Sequence, residues 1–344
     1  MNKYMVNYDL RQGGAERVFH SLSCYEGSTF NYILLKENRN FSYQDEQESS
    51  NLNILSNSEC KFFPYIKLII FFLRNPGCYV SFKYNISFIL LVVNFFVPKK
   101  RKVYTRVISS ISREQSEVGF FKKFYIKFAL KKSDGIILQS KGMIGDAVSA
   151  GVSDYKVINN PLGSLKTIDI TEASPRFVLF VGRINLVKQI EHIVEAYSKS
   201  NFPKDGVFLY IVGEGCMSVK SSVSELARKL GVSEMLVFLG SVNDVHNYYA
   251  KAEVLMLTSK YEGFPNVLSE AISYNCPVIS YDCISGPSDI IIDGVNGFLI
   301  PQDDIDSLTT KLNNISELSG SDIRHTVERF NVMEVNYDYE EYVR

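Results

Sequence analysis

The chain has 344 residues, 46% of them hydrophobic, and a formal net charge of −1. That length is too great for one ordinary domain and suits two, and the apolar fraction excludes a disordered chain. Charge is unevenly spread: residues 1–165 hold 22 Lys and Arg against 13 Asp and Glu, whereas residues 166–344 hold 15 against 25. The first half is therefore the part suited to meet an anionic partner.

Six cysteines lie without a CxxC, and His20, His192, His246 and His325 are scattered, which argues against a structural zinc site. The opening MNKYMVNYDLRQGG has no apolar signal core, so the thiols fit a reducing cytoplasm. In chain order, Tyr4–Tyr8, Phe30–Leu35, Tyr79–Phe82, Val103–Val107 and Gly135–Leu138 read as strands, while Asn51–Glu59 stays open between Ser and Asn clusters. The most hydrophobic stretch, Ile86 to Val97, contains Asn94 and stops at Pro98. It is short of the roughly 20 apolar residues of a spanning helix and reads as a buried helix. No transmembrane segment is expected.

Gly163–Pro175 has no strong periodicity and reads as the linker. Beyond it, strands at Phe177–Val181, Val207–Val212, Leu236–Leu239, Val254–Leu257 and Val278–Tyr281 alternate with helical patterns. These patterns cover Gln189–Ser198, Val219–Leu230, Asp244–Ala250 and Asn266–Ser273. Near-continuous apolar strands between helices imply a parallel sheet covered on both faces. The expected fold is α/β: two doubly wound, Rossmann-like domains, 1–165 and 166–330, facing an interdomain cleft. Residues 331–344 form a terminal helix that could pack back on the first domain. Such domains bind ligands at the carboxyl ends of their strands.

Gly13-Gly14-Ala15-Glu16-Arg17 follows the first strand and opens a helix. The glycines serve either close approach to a phosphate or sugar, or a tight turn with positive φ; the motif is not the GxGxxG of a dinucleotide dehydrogenase. Arg183 and Lys188 follow a strand that ends at Gly182, where a fork and a point charge suit a diphosphate. In Thr258–Ala271, Glu262 sits in a Gly/Pro loop and Glu270 about two turns further on. Phe264 and Pro265 frame that loop, and Asn266, Val267 and Leu268 are expected to turn backbone N–H groups toward an anion.

Together these residues resemble the family 4 retaining glycosyltransferases of the GT-B fold. The resemblance rests on Gly13-Gly14-Ala15-Glu16, the Arg183/Lys188 pair, Gly213-Glu214-Gly215, the Glu262/Glu270 E-x7-E motif and Asn296-Gly297-Phe298-Leu299. It implies that Arg183 and Lys188 neutralise the departing diphosphate, Glu262 holds donor-sugar hydroxyls, Glu270 holds ribose hydroxyls, and Gly14 lies against the donor. Gly13, Gly213, Gly215, Phe264, Asn266, Val267 and Leu268 complete the implied donor site. It implies transfer without a protein nucleophile, cofactor or metal, with charge stabilisation of the leaving group as the main help. Many members carry a His in the first domain that is missing here, and Arg106 is the candidate in its place on the acceptor side.

Asp304-Ile305-Asp306 is nominally a DxD, but its position before Leu308, Leu312 and Ile315 reads as a helix start. Lys99–Lys102 and Phe120–Lys132 are basic. In the latter, Phe120, Phe121, Phe124, Tyr125 and Phe128 share a helical face beside Lys123, Lys127 and Lys131, which fits either an interfacial helix on anionic lipid or a helix packing its aromatic face on the sheet.

The resemblance is strongest to bacterial enzymes of surface polysaccharide, including O-antigen. It implies a UDP-linked donor, an undecaprenyl-diphosphate-linked saccharide acceptor and a peripheral place on the cytoplasmic face of the inner membrane. The Cys283-Ile284-Ser285-Gly286-Pro287 turn resembles that of members using UDP-linked galactose-type or N-acetylhexosamine donors. A non-catalytic partner subunit and a nucleotide-sugar epimerase are the rival readings. No nucleic-acid recognition module is present in the sequence.

Overall fold

The computed structural model describes residues 1–10, 13–37, 51–98, 101–116, 118–163, 165–166, 168, 175–242, 244–318 and 322–344. Lys99 and Lys100 of the basic run, and most of the expected linker, lie outside the described residues. The chain forms two compact units, Met1–Gly163 with Phe330–Arg344, and Ser164–Arg329.

The first unit runs β1 (Lys3–Asn7), α1 (Gly14–Ser23), β2 (Phe30–Leu34), β3 (Leu52–Ile54), α2 (Phe63–Arg74), β4 (Cys78–Ser81) and α3 (Tyr84–Phe96). It continues through β5 (Lys102–Arg106), α4 (Ile111–Ser116), α5 (Phe120–Lys132), β6 (Gly135–Leu138), α6 (Ile144–Ser149) and β7 (Tyr155–Val157). Its sheet has the order β3-β2-β1-β4-β5-β6-β7 and is parallel throughout. The central strands β4 and β6 are buried at every position, as expected of strands covered on both faces.

Two cores result. One joins Leu68 and Phe72 of α2, Ile86 and Leu90 of α3, and Ile126 and Leu130 of α5 on one side of the sheet. The other joins Val18, Phe19 and Leu22 of α1 to Val335 and Tyr339 of the chain's terminal helix.

The second unit runs β8 (Phe177–Val181), α7 (Ile190–Lys199), β9 (Phe208–Val212), α8 (Met217–Lys229), β10 (Leu236–Gly240), α9 (His246–Lys251) and β11 (Val254–Leu257). Then follow α10 (Asn266–Ser273), β12 (Val278–Tyr281), α11 (Pro287–Ile290), β13 (Gly297–Ile300) and α12 (Ile305–Asn313), before α13 (Val332–Tyr342) returns to the first unit. Its sheet, again parallel, has the order β10-β9-β8-β11-β12-β13.

Four expectations need correction. The open segment 51–59 contains a strand, β3, which pairs with β2. Tyr155–Val157 adds an edge strand too short to announce itself. The apolar stretch from Ile86 is helical but buried on one side only, since Phe95 and Phe96 are exposed. In α5 the residues turned to the core are Ile126, Ala129 and Leu130, and the aromatic face divides: Tyr125 and Phe128 pack, partly buried, against the same core, whereas Phe120, Phe121 and Phe124 are exposed. Among the described residues, no helix is long and apolar enough to cross a membrane. The Asp304 carboxylate caps α12 by accepting from the Ser307 N–H at 2.9 Å, which accounts for the DxD as a helix start.

Candidate active site

In the second sheet β8 leads leftward through β9 to β10, and β11 leads rightward through β12 to β13. The strand order therefore reverses between β8 and β11, and the crevice at their carboxyl ends is where open α/β sheets bind ligands. The loops leaving these two strands carry Arg183, Lys188 and Glu262.

The loops are tied together by backbone groups. Asn185 Oδ1 accepts from the Val187 N–H at 3.0 Å and tightens the turn that carries Lys188. The Lys260 N–H donates to the Val187 carbonyl at 2.8 Å. The Thr258 hydroxyl at the end of β11 lies 2.9 Å from the carbonyl oxygens of both Lys188 and Gln189.

Lys188 Nζ is thereby held 2.5 Å from Glu262 Oε1, with the two side chains 19% and 14% exposed. A pair so sheltered is both close and reachable, and it loses less of its attraction to solvent than a surface pair. Arg183 is exposed on the same loop and, among the described residues, pairs with no carboxylate.

The Glu262 loop is buttressed from below. Ser285 Oγ donates to the Glu262 carbonyl at 2.5 Å. Gly286 has φ 100°, and a Cβ there would fall 2.5 Å from Pro265 Cδ. The Cys283–Pro287 turn thus packs against the loop that holds Glu262. Burial, with the Glu262 carboxylate nearby, pushes the Cys283 thiol up to about 12, so it stays protonated and is no nucleophile.

Glu270 is buried, and its Oε2 accepts from the Tyr249 hydroxyl at 2.9 Å. An exposed helical carboxylate is thus ruled out at this position. Because α10 begins at Asn266, Glu270 sits little more than one turn in rather than two. Phe264 is buried beside the loop.

The Leu268 N–H is not available to an anion, because it donates to the Pro265 carbonyl at 3.0 Å in a tightened first turn. Gly213 and Gly215 have a packing reason of their own: a Cβ on either would stand 2.0 Å from the carbonyl oxygen of Gly182 or Ile184. They let the β9 exit loop press against the β8 exit loop.

The first sheet reverses order between β1 and β4, and Gly13-Gly14 follows β1 at that point. Gly13 has φ 179° and Gly14 is not among the positive-φ residues, so no tight turn demands them. An added Cβ on Gly13 would meet Glu16 Oε2, the far end of a flexible side chain that can turn aside, so this contact alone does not demand glycine. Glu16 in turn pairs with Lys83, after β4, at 2.6 Å. Gly14 is exposed.

Arg106 does not face an acceptor. Its side chain is 1% exposed, with Nε donating to the Tyr339 hydroxyl at 2.6 Å, a terminal nitrogen donating to Asn160 Oδ1 at 2.5 Å, and the guanidinium 5.1 Å from the Phe82 ring. It anchors α13 to the first unit. Sequence reasoning missed Lys83 and Tyr249, which have no motif of their own and act by touching residues that do; Thr258 and Ser285 lie in stretches it singled out, but without a role of their own. Among the described residues, no group of three His, Cys, Asp or Glu gathers as a metal site.

Comparison with known proteins agrees with this geometry. Residues 168–329 match the family model Glycosyl transferases group 1. Over 328 residues the chain is 28% identical to the N-acetylgalactosamine-N,N'-diacetylbacillosaminyl-diphospho-undecaprenol 4-alpha-N-acetylgalactosaminyltransferase of Campylobacter jejuni, covering 90% of this chain and 88% of that one. It is 31% identical over 208 residues to the lipopolysaccharide 1,6-galactosyltransferase of Salmonella typhimurium, covering 56% of each.

Among solved structures, Anabaena HepE in complex with UDP superposes with a TM-score of 0.79 at 16% identity over 99% of both chains. The apo lipopolysaccharide outer core galactosyltransferase WaaB does so with 0.73 at 21%, covering 99% of this chain and 98% of that one. Two Rossmann-like units with parallel sheets, each carrying polar groups at its switch point, make this a GT-B glycosyltransferase fold. Residues 168–329, almost the whole of the second unit, are the part that matches the group 1 glycosyltransferases.

Proposed function

We propose that the protein transfers a hexose or N-acetylhexosamine from a UDP-sugar to a saccharide borne on undecaprenyl diphosphate, with retention at the anomeric carbon and without a metal ion. The observation that carries this reading is the Lys188–Glu262 pair at 2.5 Å, at the switch point of a group 1 glycosyltransferase unit.

Without donor, the two side chains neutralise one another. With donor bound, Lys188 and Arg183 turn to the diphosphate, while Glu262 accepts hydrogen bonds from sugar hydroxyls. Glu270, oriented by Tyr249, accepts from the ribose. Asn266 and Val267, at the start of α10, lie close to the donor. As the bond from the anomeric carbon to the β-phosphate oxygen breaks, the acceptor hydroxyl attacks from the same face. Its proton passes to the departing phosphate oxygen. Cations already in place stabilise the charge that develops there, and water need not reorganise to do so. Two fixed cations at the leaving group are the ground for expecting no metal requirement.

A UDP donor is supported by HepE, whose structures hold UDP and UDP-glucose. A galactose-type sugar is supported by the names of both relatives above. The first of these names, which contains diphospho-undecaprenol, also motivates the lipid-diphosphate acceptor, and a peripheral position on the cytoplasmic face of the inner membrane is proposed along with that acceptor. A calorimetric donor screen tests the reading: UDP-GalNAc or UDP-Gal should bind ahead of UDP-Glc and GDP-mannose. A site that hydrogen-bonds particular hydroxyls leaves buried polar groups unpaired with the wrong epimer. Tightest binding of GDP-mannose would remove the UDP assignment.

A further inference from the structure

Three helices share one side of the first unit's sheet. The connections β3 to β4, β4 to β5 and β5 to β6 all run the same way across it, and right-handed crossovers put α2, α3 and α5 on a single face. Their inward residues meet in one core. The outward side of such a layer is normally polar.

Here it is not. α2 exposes Ile66, Ile70 and Leu73, an i, i+4, i+7 stripe on the side opposite its buried Leu68 and Phe72. Every exposed phenylalanine among the described residues lies on these three helices or the residue before α2. Phe120 and Phe121 open α5 at 78% and 83% exposure, and Phe62 and Phe63 open α2. Phe88 of α3 bridges toward α5, with its ring 6.1 Å from that of Phe124 and 5.3 Å from that of Phe128. An apolar surface this continuous marks an interaction site.

Its charge identifies the partner. α2, α3 and α5 contain no Asp or Glu. Basic side chains border the aromatic ones: Lys67 and Arg74 on α2, and Lys122, Lys123, Lys127, Lys131 and Lys132 on α5. Lys67 Nζ stands 5.2 Å from the centre of the Phe63 ring, so cation and aromatic are presented together. Aromatic bodies interleaved with lysine and free of carboxylates suit the headgroup boundary of an anionic bilayer, where apolar burial and attraction to lipid phosphate act together.

Direction matters as well. Each of these helices returns antiparallel to its strands, so the α2 and α5 N-termini lie at the carboxyl edge of the sheet, the edge that carries Gly14 and Lys83.

We infer that the α2–α3–α5 layer is a membrane-docking face, with Phe62, Phe63, Phe120, Phe121 and Phe124 entering the interface of an anionic bilayer. Docked so, the carboxyl edge of the first unit stands beside the lipid surface, and a saccharide on a lipid diphosphate reaches it without leaving the membrane. This deepens the acceptor reading above and rests on it.

The test uses the full chain with phosphatidylglycerol/phosphatidylcholine vesicles and with phosphatidylcholine alone. The sequence has no tryptophan, so Phe121→Trp is a single reporter whose emission should shift to the blue only on the anionic vesicles. The variant F120S/F121S/F124S should lose most co-sedimentation at any salt. The variant K122Q/K123Q/K127Q should bind about 100-fold more weakly at low salt, at about a fivefold step per lysine. Both keep UDP affinity by calorimetry and the wild-type far-UV circular dichroism and unfolding transition, which shows both units folded.

No blue shift, or equal vesicle binding of wild type and both variants, overturns the inference. So does a wild type that ignores vesicles but is a dimer which the triple serine variant makes monomeric, since the face would then join two copies. Failure of UDP binding would strike at the proposed reaction and leave the vesicle result standing.

Discussion

The Lys188–Glu262 pair yields a prediction with opposite signs at its two ends. Removing one partner of a fully buried ion pair costs about 3–5 kcal/mol, and of an exposed one about 0–1 kcal/mol. At 19% and 14% exposure and 2.5 Å separation, an intermediate cost of about 1–3 kcal/mol is expected for Lys188→Ala, which strands a carboxylate. The effects on function should diverge. Lys188→Ala removes a phosphate ligand, so UDP affinity should fall about 10- to 100-fold, consistent with about 1.5–3 kcal/mol for a charge-assisted hydrogen bond.

Glu262→Gln instead releases Lys188 from its partner. UDP affinity should hold or rise, while turnover drops about 100-fold through lost orientation of the sugar and of Lys188. Calorimetric titration with UDP, thermal unfolding and a UDP-release assay on the two variants and their double mutant separate these effects. Equal loss of UDP affinity in both single variants would refute the reasoning, because it would make the pair a structural clamp.

Arg106→Leu should destabilise the first unit by about 2–4 kcal/mol, since the Tyr339 hydroxyl and Asn160 amide lose their buried partner; denaturant unfolding measures it, with UDP affinity unchanged. Gly213→Ala, at φ 134° and 2.0 Å from the Gly182 carbonyl, should lower both stability and UDP binding by displacing the β8 exit loop. Excess EDTA should leave transfer intact, and a complete loss restored by Mg²⁺ would show that the two cations do not suffice. Brief iodoacetamide treatment of the native protein at pH 8 should label Cys60 and Cys216 before Cys283. Backbone N–H groups, and for Cys216 first the Ser218 hydroxyl, hold those exposed thiols below their ordinary value, so more of each is thiolate at that pH, whereas Cys283 is raised to about 12. Peptide mass spectrometry reads the order.

Most of this architecture was legible in the sequence because a fully buried strand is a short apolar run with few other readings. Gly135–Leu138, Phe177–Val181, Val254–Leu257 and Val278–Tyr281 match their predicted bounds for that reason. Leu52–Ile54 and Tyr155–Val157 were not legible: edge strands of three residues, partly exposed, have no run to show.

At the site, residues in a loop frame were readable, and their supports were not. Lys188, Glu262 and Glu270 stand in patterns, but Thr258, Ser285 and Tyr249 respectively reach them across the fold, and no spacing encodes such a contact. Arg106 was placed on the acceptor side by resemblance, as the stand-in for a missing His; here Tyr339, 233 residues on, folds over it. The Phe120–Lys132 helix had two readings of equal standing, and only the burial of Ile126, Ala129 and Leu130 told which side turns inward.

The measurement closest to the central claim is UDP release by the purified chain from UDP-GalNAc or UDP-Gal, followed with and without a short saccharide on a polyprenyl diphosphate. The account predicts release that depends on the acceptor, with the sugar recovered on the lipid in the α configuration. Conversion of one UDP-sugar into its epimer without acceptor, or no turnover with any donor and acceptor together, would contradict it.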